Sequence, residues 1–367
     1  MTTPQDRPAV SISLPGRLGD PASDFRSDRR TDPRMLEGLT PFGMDRHVPA
    51  PATGPDDTLE DRLAFAVEAE GGFEGLFAAN VEGLPEIAGV DRTTETIIGV
   101  DGNLITLHIH RPSEVSGPLP AVVYLHGGGM ALLSAAGPLY LRVYDELAAS
   151  GLIVVGVEFR NAAGKLGPHP FPAGLNDCFS ALEWVGAHRE ELGVTKIAVA
   201  GDSGGANLTL AVTIKAKREG RLDLIDGTYA LAPYISGAYG WAVQDKAREL
   251  PSLIENDDHF ISSAVTSVLV SLYDPEGLNA RNPLAWPYFA TEEDLTGLPP
   301  HVISTNEIDP VRDEGLAYAR NLARAGVNVV SRTVNGVCHD GELIFATALP
   351  DLHVAALKDI HDFTAGL

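Results

Sequence analysis

The chain has 367 residues, of which 44% are hydrophobic and 21% are charged, a composition typical of a soluble globular protein with a large core. Its formal net charge of −23 argues against nucleic acid or an anionic membrane surface as a partner, because both require clustered lysine and arginine. Two cysteines are too few for a disulfide framework or a zinc site, and the absence of 18 consecutive apolar residues argues against membrane insertion.

The first 57 residues are rich in proline and show no sustained periodicity. The first thirty contain no apolar signal-peptide segment, which together with the low cysteine content predicts a cytoplasmic protein. Two interpretations stay open for this segment, a disordered tail or an arm that packs over the rest of the chain. Residues 58–79 have apolar residues at helical spacing after a candidate cap at Thr58, and we expect Gly71-Gly72 to break or bend this helix.

Strand patterns begin at Thr94–Ile98 and Leu104–His110, joined by the hairpin-type pair Asp101-Gly102. Apolar strands then alternate with helical segments. The predicted strands are Ala121–Leu125, Leu152–Phe159, Lys196–Ala200, Gly227–Ala232, Val302–Thr305 and Val329–Val334, and the predicted helices are Pro138–Ala149, Phe171–Glu191, Ala206–Arg218, Val311–Ala325 and one after Gly341. This alternation predicts an α/β fold with a mostly parallel central sheet flanked by helices, and residues 233–290 interrupt it as an insertion.

The stretch Gly201-Asp202-Ser203-Gly204-Gly205 lies between a predicted strand and a predicted helix and fits the pattern G-x-S-x-G. In this pattern a sharp turn exposes the serine hydroxyl above the sheet, and glycines occupy positions where side chains would clash. Ser203 is therefore the candidate nucleophile of an acyl-transfer reaction. Because so short a motif often occurs by chance, this interpretation also requires a base, an acid and oxyanion donors.

The candidate base is His339, in a loop between the last predicted strand and the last helix. The acid is expected between nucleophile and base in chain order, and four carboxylates follow the preceding predicted strand. Asp309 lies just past the end of that strand. Asp313 and Glu314 fall on the next helix, where acidic residues usually compensate the helix dipole. Asp309 is therefore the predicted acid, and Glu307 is the alternative.

The stretch His126-Gly127-Gly128-Gly129 follows an early predicted strand and fits the H-G-G-G pattern of oxyanion loops. Consecutive glycines allow backbone N–H groups to approach a substrate without obstruction by a Cβ atom. The residue after the nucleophile, Gly204, is expected to supply a further N–H group.

Taken together, these motifs, the stretch Asp309–Gly315 and the His339 loop resemble the hormone-sensitive lipase family of α/β-hydrolases. The resemblance extends over roughly residues 94–365. It implies an α/β-hydrolase fold with a helical cap and a carboxylesterase activity that needs neither a cofactor nor a metal. The expected partner is a small-molecule ester substrate.

By position, the resemblance assigns the oxyanion donors to Gly128, Gly129 and Gly204. The chain departs from the family pattern beside these residues. Met130 stands where an aromatic residue usually follows H-G-G-G, Gly204 stands where alanine usually follows the nucleophile, and Ala206 replaces a glycine. These departures leave the catalytic groups in place and affect the expected shape of the pocket, since methionine is an adaptable packing residue.

The expected organisation is an N-terminal arm with cap helices (1–90), a first core part (91–232), a cap insertion (233–290) and a second core part (291–367). The predicted activity is hydrolysis of short-to-medium or compact esters or lactones through a Ser-His-Asp triad and an acyl-enzyme. A non-hydrolytic ligand-binding protein or a lyase on the same fold is the alternative, although such relatives tend to lose the histidine or alter the nucleophile. The sequence leaves the oligomeric state open.

Overall fold

The computed structural model describes residues 14–115 and 117–367, so the expectations for residues 1–13 lie outside the described residues. The described residues contain one eight-stranded sheet, with strands β1 (Val90–Ile98), β2 (Leu104–Pro112), β3 (Leu119–Leu125), β4 (Ile153–Glu158), β5 (Val194–Asp202), β6 (Gly227–Leu231), β7 (His301–Asn306) and β8 (Val329–Val334). The spatial order is β1-β2-β4-β3-β5-β6-β7-β8. Strand β2 pairs antiparallel with β1 and β4, and all other neighbours pair in parallel.

Helices flank this sheet, as the alternating pattern predicts. They are α1 (Gly16–Gly19), α2 (Met35–Leu39), α3 (Leu59–Val81), α4 (Pro138–Ala149), α5 (Ala173–Ala187), α6 (Arg189–Leu192), α7 (Ser203–Arg218), α8 (Val243–Glu249), α9 (Ser252–Glu255), α10 (Ser263–Tyr273), α11 (Glu292–Leu295), α12 (Arg312–Arg324), α13 (Gly341–Ile344) and α14 (Pro350–Ala365). Among the helices of the described ranges, none is both long enough and apolar enough to cross a membrane.

The central strands are buried along nearly their whole length, which explains why their sequences are continuous apolar runs. Strand β1 lies at an edge of the sheet and is mostly exposed, and its threonine and charged residues suit that position. The parallel strands all end at the same edge. The loops that follow β3, β5 and β7 therefore meet there, and they carry most of the residues that the sequence motifs single out.

Helix α3 is continuous from Leu59 to Val81, so of the expected break or bend at Gly71-Gly72 the break is wrong. The helix persists because its other face is held by tertiary packing, with Ala66, Leu76 and Phe77 buried against the core. The long helix expected over residues 171–191 is instead divided at His188 into α5 and α6.

The described part of the N-terminal segment, residues 14–57, lies against the rest of the chain. Its side chains Phe25, Met35 and Leu39 are fully buried in the main core. Of the two open interpretations, the packed arm describes these residues, since a free tail would leave such side chains in water.

A buried cluster of charges fastens this segment to two distant parts of the chain. Arg30 forms an ion pair with Glu255 at the end of α9, and Arg312 at the start of α12 binds both oxygens of the same carboxylate at 2.9 and 3.0 Å. The Arg30 guanidinium also donates to Asp28 at 2.6 Å and to the side chain of Asn256 at 2.9 Å. Because Glu255 is only 4% exposed, this ion pair is little screened by solvent.

The glycines of α3 generate a stability prediction. A Cβ atom added at Gly71 would meet no atom within 4 Å, so Gly71→Ala should raise the free energy of unfolding by about 0.5–1 kcal/mol by removing a helix-interior glycine. Urea unfolding followed by circular dichroism measures this. The control is Gly38→Ala in α2, where the Cβ atom would lie 2.4 Å from the Phe345 ring and stability should fall. A loss of stability in Gly71→Ala would contradict the prediction.

Candidate active site

Ser203 occupies the sharp turn where β5 ends and α7 begins. Its φ angle of 51° lies in the left-handed region, which is strained for a residue with a side chain. Glycines are required beside it because backbones approach closely here. A Cβ atom on Gly204 would lie 2.6 Å from the Gly129 nitrogen, and one on Gly205 would lie 1.9 Å from the Leu125 oxygen. The turn thus holds the hydroxyl at the edge of the sheet, at the N-terminus of α7.

The side chains of Ser203, His339 and Asp309 form one hydrogen-bonded row. His339 Nε2 lies 2.7 Å from Ser203 Oγ, and His339 Nδ1 lies 2.9 Å from Asp309 Oδ2. The other Asp309 oxygen accepts a hydrogen bond from the backbone N–H of Val311 at 2.9 Å. All three side chains are buried. A carboxylate therefore orients an imidazole whose far nitrogen faces a hydroxyl, an arrangement suited to activating that hydroxyl.

Glu307, the alternative acid, faces another part of the loop. Its Oε2 accepts a hydrogen bond from the backbone N–H of Gly336 at 2.8 Å. The segment that carries both carboxylates is held from outside by Asn256, whose side-chain amide donates to the carbonyls of Asp309 at 3.0 Å and Glu307 at 3.2 Å. Asn256 therefore fixes the backbone from which Asp309 reaches the histidine.

The loop after β3, residues 126–133, is called the glycine loop below. Gly128 and Gly129 have φ angles of 106° and 62°, which glycine adopts without strain. Both residues line the same pocket as Ser203 and His339. Because Gly204 packs directly against the backbone of Gly129, the three candidate oxyanion donors lie close together.

The aspartate of the G-D-S-G-G motif links the turn to the glycine loop. Asp202 accepts hydrogen bonds from the hydroxyls of Tyr124 and Tyr140, each at 3.0 Å. The Tyr140 hydroxyl in turn accepts from the backbone N–H of Gly127 at 2.9 Å. Burial raises the pKa of Asp202 to about 6 in spite of these donors. Asp202 thus acts through Tyr140 to fix the start of the glycine loop.

Asp340, the residue after the histidine, is a second buried carboxyl at the pocket. Its Oδ2 lies 3.3 Å from His339 Nε2, and its Oδ1 has no hydrogen-bond partner among the described residues. Its φ of 53° suits aspartate, which tolerates the left-handed region. Burial, reinforced by the charge of Asp202, raises the pKa of Asp340 well above its ordinary value. Asp309 already lies at Nδ1 of the imidazole. A neutral Asp340 therefore avoids a second full negative charge on the Nε2 side.

The pocket above Ser203 has an empty volume of about 510 Å³, including its open mouth. Its walls are mostly apolar and come from α3, the glycine loop, the residues before and within α10, and α13: Phe73, Phe77, Leu132, Leu133, Phe260, Ile261, Leu269 and Ile344. Within the described parts of the chain, no three His, Cys, Asp or Glu side chains are placed to hold a metal ion. The site therefore offers an apolar enclosure with a hydroxyl, an imidazole and backbone N–H groups at one end.

Comparison with known proteins agrees with this geometry. A family model described as the alpha/beta hydrolase fold matches residues 122–342. Carboxylesterase NlhH of Mycobacterium tuberculosis is 35% identical over 277 residues, which cover 72% of this chain and 80% of that protein. The solved structure of brefeldin A esterase, a bacterial homologue of human hormone sensitive lipase, is 48% identical with a TM-score of 0.94, covering 97% of this chain and 99% of that one. The chain belongs to the hormone-sensitive lipase family of α/β-hydrolases.

The solved structure of esterase Est22 is also similar, at 37% identity and a TM-score of 0.81, covering 94% of this chain and all of that one (100%). The fold and the family that the motifs indicate are thereby confirmed. The positions of Asp202, Tyr140, Asp340 and Asn256 around the site are not evident from the motifs. For Asp202 and Asp340 the sequence does offer one signal of a role at the site, because each stands next to a residue that the motifs single out.

Glu314, at the start of α12, corrects one expectation. Its Oε1 accepts hydrogen bonds from the backbone N–H of Ile235 at 3.1 Å and from the Tyr239 hydroxyl at 2.8 Å. Burial raises its pKa to about 8. The expectation that Glu314 compensates the helix dipole is therefore wrong. Its carboxyl points into the interior and joins α12 to the segment after β6. The Asp313 side chain also contacts another segment, because it accepts a hydrogen bond from the backbone N–H of Ser252 at 2.7 Å.

The raised pKa of Glu314 predicts a pH-dependent stability. Between the ordinary value of 4.5 and about 8, the folded state keeps a proton that the unfolded state has lost, so this contribution to stability falls as pH rises. Glu314→Gln keeps an acceptor oxygen and cannot ionise. Its stability relative to the wild type should therefore increase with pH across this window, measured by urea unfolding at several pH values. The exposed control Glu292→Gln should show no such trend, and a flat difference for Glu314→Gln would contradict the prediction.

Proposed function

We propose that this carboxylic ester hydrolase cleaves compact or short-to-medium esters and lactones through an acyl-enzyme formed on Ser203. The observation that carries the proposal is the row in which His339 Nε2 lies 2.7 Å from Ser203 Oγ and Nδ1 lies 2.9 Å from Asp309. Membership of a family whose named relatives are esterases supports the ester as the scissile group.

In this mechanism Ser203 Oγ attacks the ester carbonyl while His339 takes its proton at Nε2. Asp309 holds the imidazole in the tautomer with its proton on Nδ1 and stabilises the imidazolium that forms. The backbone N–H groups of Gly128, Gly129 and Gly204 stabilise the tetrahedral oxyanion. His339 then donates the proton to the leaving alkoxide, and water releases the acid by the same steps with the acyl-enzyme as electrophile.

The proposed substrate is uncharged and apolar near the scissile bond. The pocket walls support this, because most of their surface comes from aromatic and aliphatic side chains. No lysine or arginine is among the described residues that line the pocket, so an anionic substrate group would be buried there without such a partner, which is unfavourable. An ester of compact shape satisfies both constraints.

We also propose that residues 1–90 and 233–290 act as a cap over the core parts 91–232 and 291–367. The contribution of both segments to the pocket supports this, since Phe73 and Phe77 come from α3 and Phe260, Ile261 and Leu269 come from the insertion. Of the first segment, the structure describes residues 14–90. The cytoplasmic location expected from the sequence stays a prediction.

The assignment of the catalytic acid is tested by substituting each of the two candidate residues in turn. Asp309→Asn should fold normally and lower kcat by about 10⁴-fold, because the amide favours the wrong imidazole tautomer. Glu307→Gln is the matched control and should change kcat by less than about tenfold, because among the described residues the Glu307 side chain binds only the Gly336 N–H group. Hydrolysis rates for p-nitrophenyl acetate measure both. Greater damage from Glu307→Gln would show that the acid is misassigned.

The function as a whole is tested with p-nitrophenyl esters from acetyl to long acyl chains. The wild type should hydrolyse the shorter esters best, and Ser203→Ala should abolish this activity. Ser331→Ala, the same substitution on the exposed face of β8, should leave it unchanged. Activity that survives Ser203→Ala would place the nucleophile elsewhere. A folded wild type without activity on any ester would contradict the proposal and favour the ligand-binding or lyase alternative.

A further inference from the structure

Glu70 is a buried carboxylate in the middle of α3, only 1% exposed. It lies three and seven residues before Phe73 and Phe77, so all three side chains share one face of the helix. The two phenylalanines line the pocket above Ser203. Glu70 therefore sits on the face that α3 turns towards the site, one turn before the part that lines the pocket.

The Glu70 carboxylate bridges two loops through their backbones. Its Oε1 accepts a hydrogen bond from the N–H of Leu133 at 2.8 Å, and its Oε2 accepts one from the N–H of Lys165 at 2.8 Å. Gly164 makes room for this contact. A Cβ atom there would lie 2.7–2.9 Å from the carboxyl atoms of Glu70, and the Gly164 φ angle is 61°.

The two loops are themselves joined along their length. The backbone N–H groups of Ala162 and Ala163 donate to the carbonyls of Met130 and Ala131 at 2.9 and 3.1 Å. The side-chain amide of Asn161 donates to the Leu133 carbonyl at 2.7 Å. These bonds hold the glycine loop against the second loop. Glu70 binds the glycine loop at Leu133, the end that lies away from Gly128 and Gly129 in the chain.

We infer that Glu70 is a positioning residue that couples α3 to the glycine loop and so holds the oxyanion donors in place. The inference rests on the proposed function, because it concerns the donors of the proposed mechanism. Leu132, the neighbour of Leu133, donates its N–H to the Gly128 carbonyl at 3.0 Å, so a constraint on Leu133 reaches Gly128 through Leu132. Both Leu133 and Met130 have positive φ angles, 74° and 57°. A loop containing such strained residues needs outside contacts to keep its shape.

The test compares Glu70→Gln with Glu74→Gln. Glutamine has one acceptor oxygen and points an NH₂ group at the second backbone N–H, so the bridge is broken at one loop. Glu74 is the matched control, because it lies one turn further along α3 and its more exposed carboxylate binds the Lys165 ammonium at 2.7 Å. Wild-type and variant kcat values are normalised to titrated Ser203, which removes any difference in the folded fraction.

Glu70→Gln should lower kcat about 10- to 100-fold, because a displaced donor loses transition-state stabilisation. KM should stay within about threefold, since oxyanion donors act mainly in the transition state. Glu74→Gln should leave both constants unchanged. A purely structural role would lower the melting temperature without changing kcat per titrated site, and an effect confined to KM would indicate a role in binding. Either result would overturn the inference.

Amide hydrogen exchange gives a readout that needs no substrate. At least one of the Leu133 and Lys165 N–H groups should exchange faster in Glu70→Gln than in the wild type or Glu74→Gln, because glutamine keeps only one of the two acceptor oxygens. Unchanged exchange at both amides would overturn the inference, whatever the kinetic result. If the wild type hydrolyses no ester, the proposed function fails, and the exchange measurement alone decides whether Glu70 restrains the glycine loop.

Discussion

The site depends on a contact between backbones that leaves no room for side chains. The turn after β5 packs against the end of β3 and the loop behind it so closely that a Cβ atom on Gly204 or Gly205 would overlap main-chain atoms. Because β3 and β5 are adjacent parallel strands, their loops emerge side by side, and this contact sets the distance from Ser203 to the N–H groups of Gly128 and Gly129. Most other features of the site preserve that arrangement.

Buried acids lie at the pocket and behind it, and burial raises their pKa values. The pKa values of Asp202, Asp340 and Glu314 are all raised, which keeps excess negative charge out of a region with little solvent. The whole chain is strongly acidic, yet the pocket itself is lined mainly by apolar side chains. The proposed preference for uncharged substrates agrees with this separation of charge from the pocket walls.

The fold and the motif residues could be predicted because their signals are local. A G-x-S-x-G turn, an H-G-G-G loop and an alternation of strands and helices are each contained in a short stretch of sequence. The partners of Glu70, Glu314 and Asn256 could not be predicted, because they lie 51 to 226 residues away in the chain and no local sequence pattern indicates such pairs. The expected break at Gly71-Gly72 was wrong because tertiary packing outweighs the helix propensity of two glycines.

The ion pair between Arg30 and Glu255 joins residues 225 positions apart in the chain. The backbone N–H of Asp32 likewise donates to the Gly336 carbonyl at 2.9 Å. During synthesis at about 5–20 residues per second, the arm therefore waits roughly 10–45 s for Glu255 to be made. Throughout that time Phe25, Met35 and Leu39 lack the core that later buries them. This segment is made before its partners and therefore docks late, and Asn256, which binds both Arg30 and the Asp309 backbone, links that docking to completion of the site.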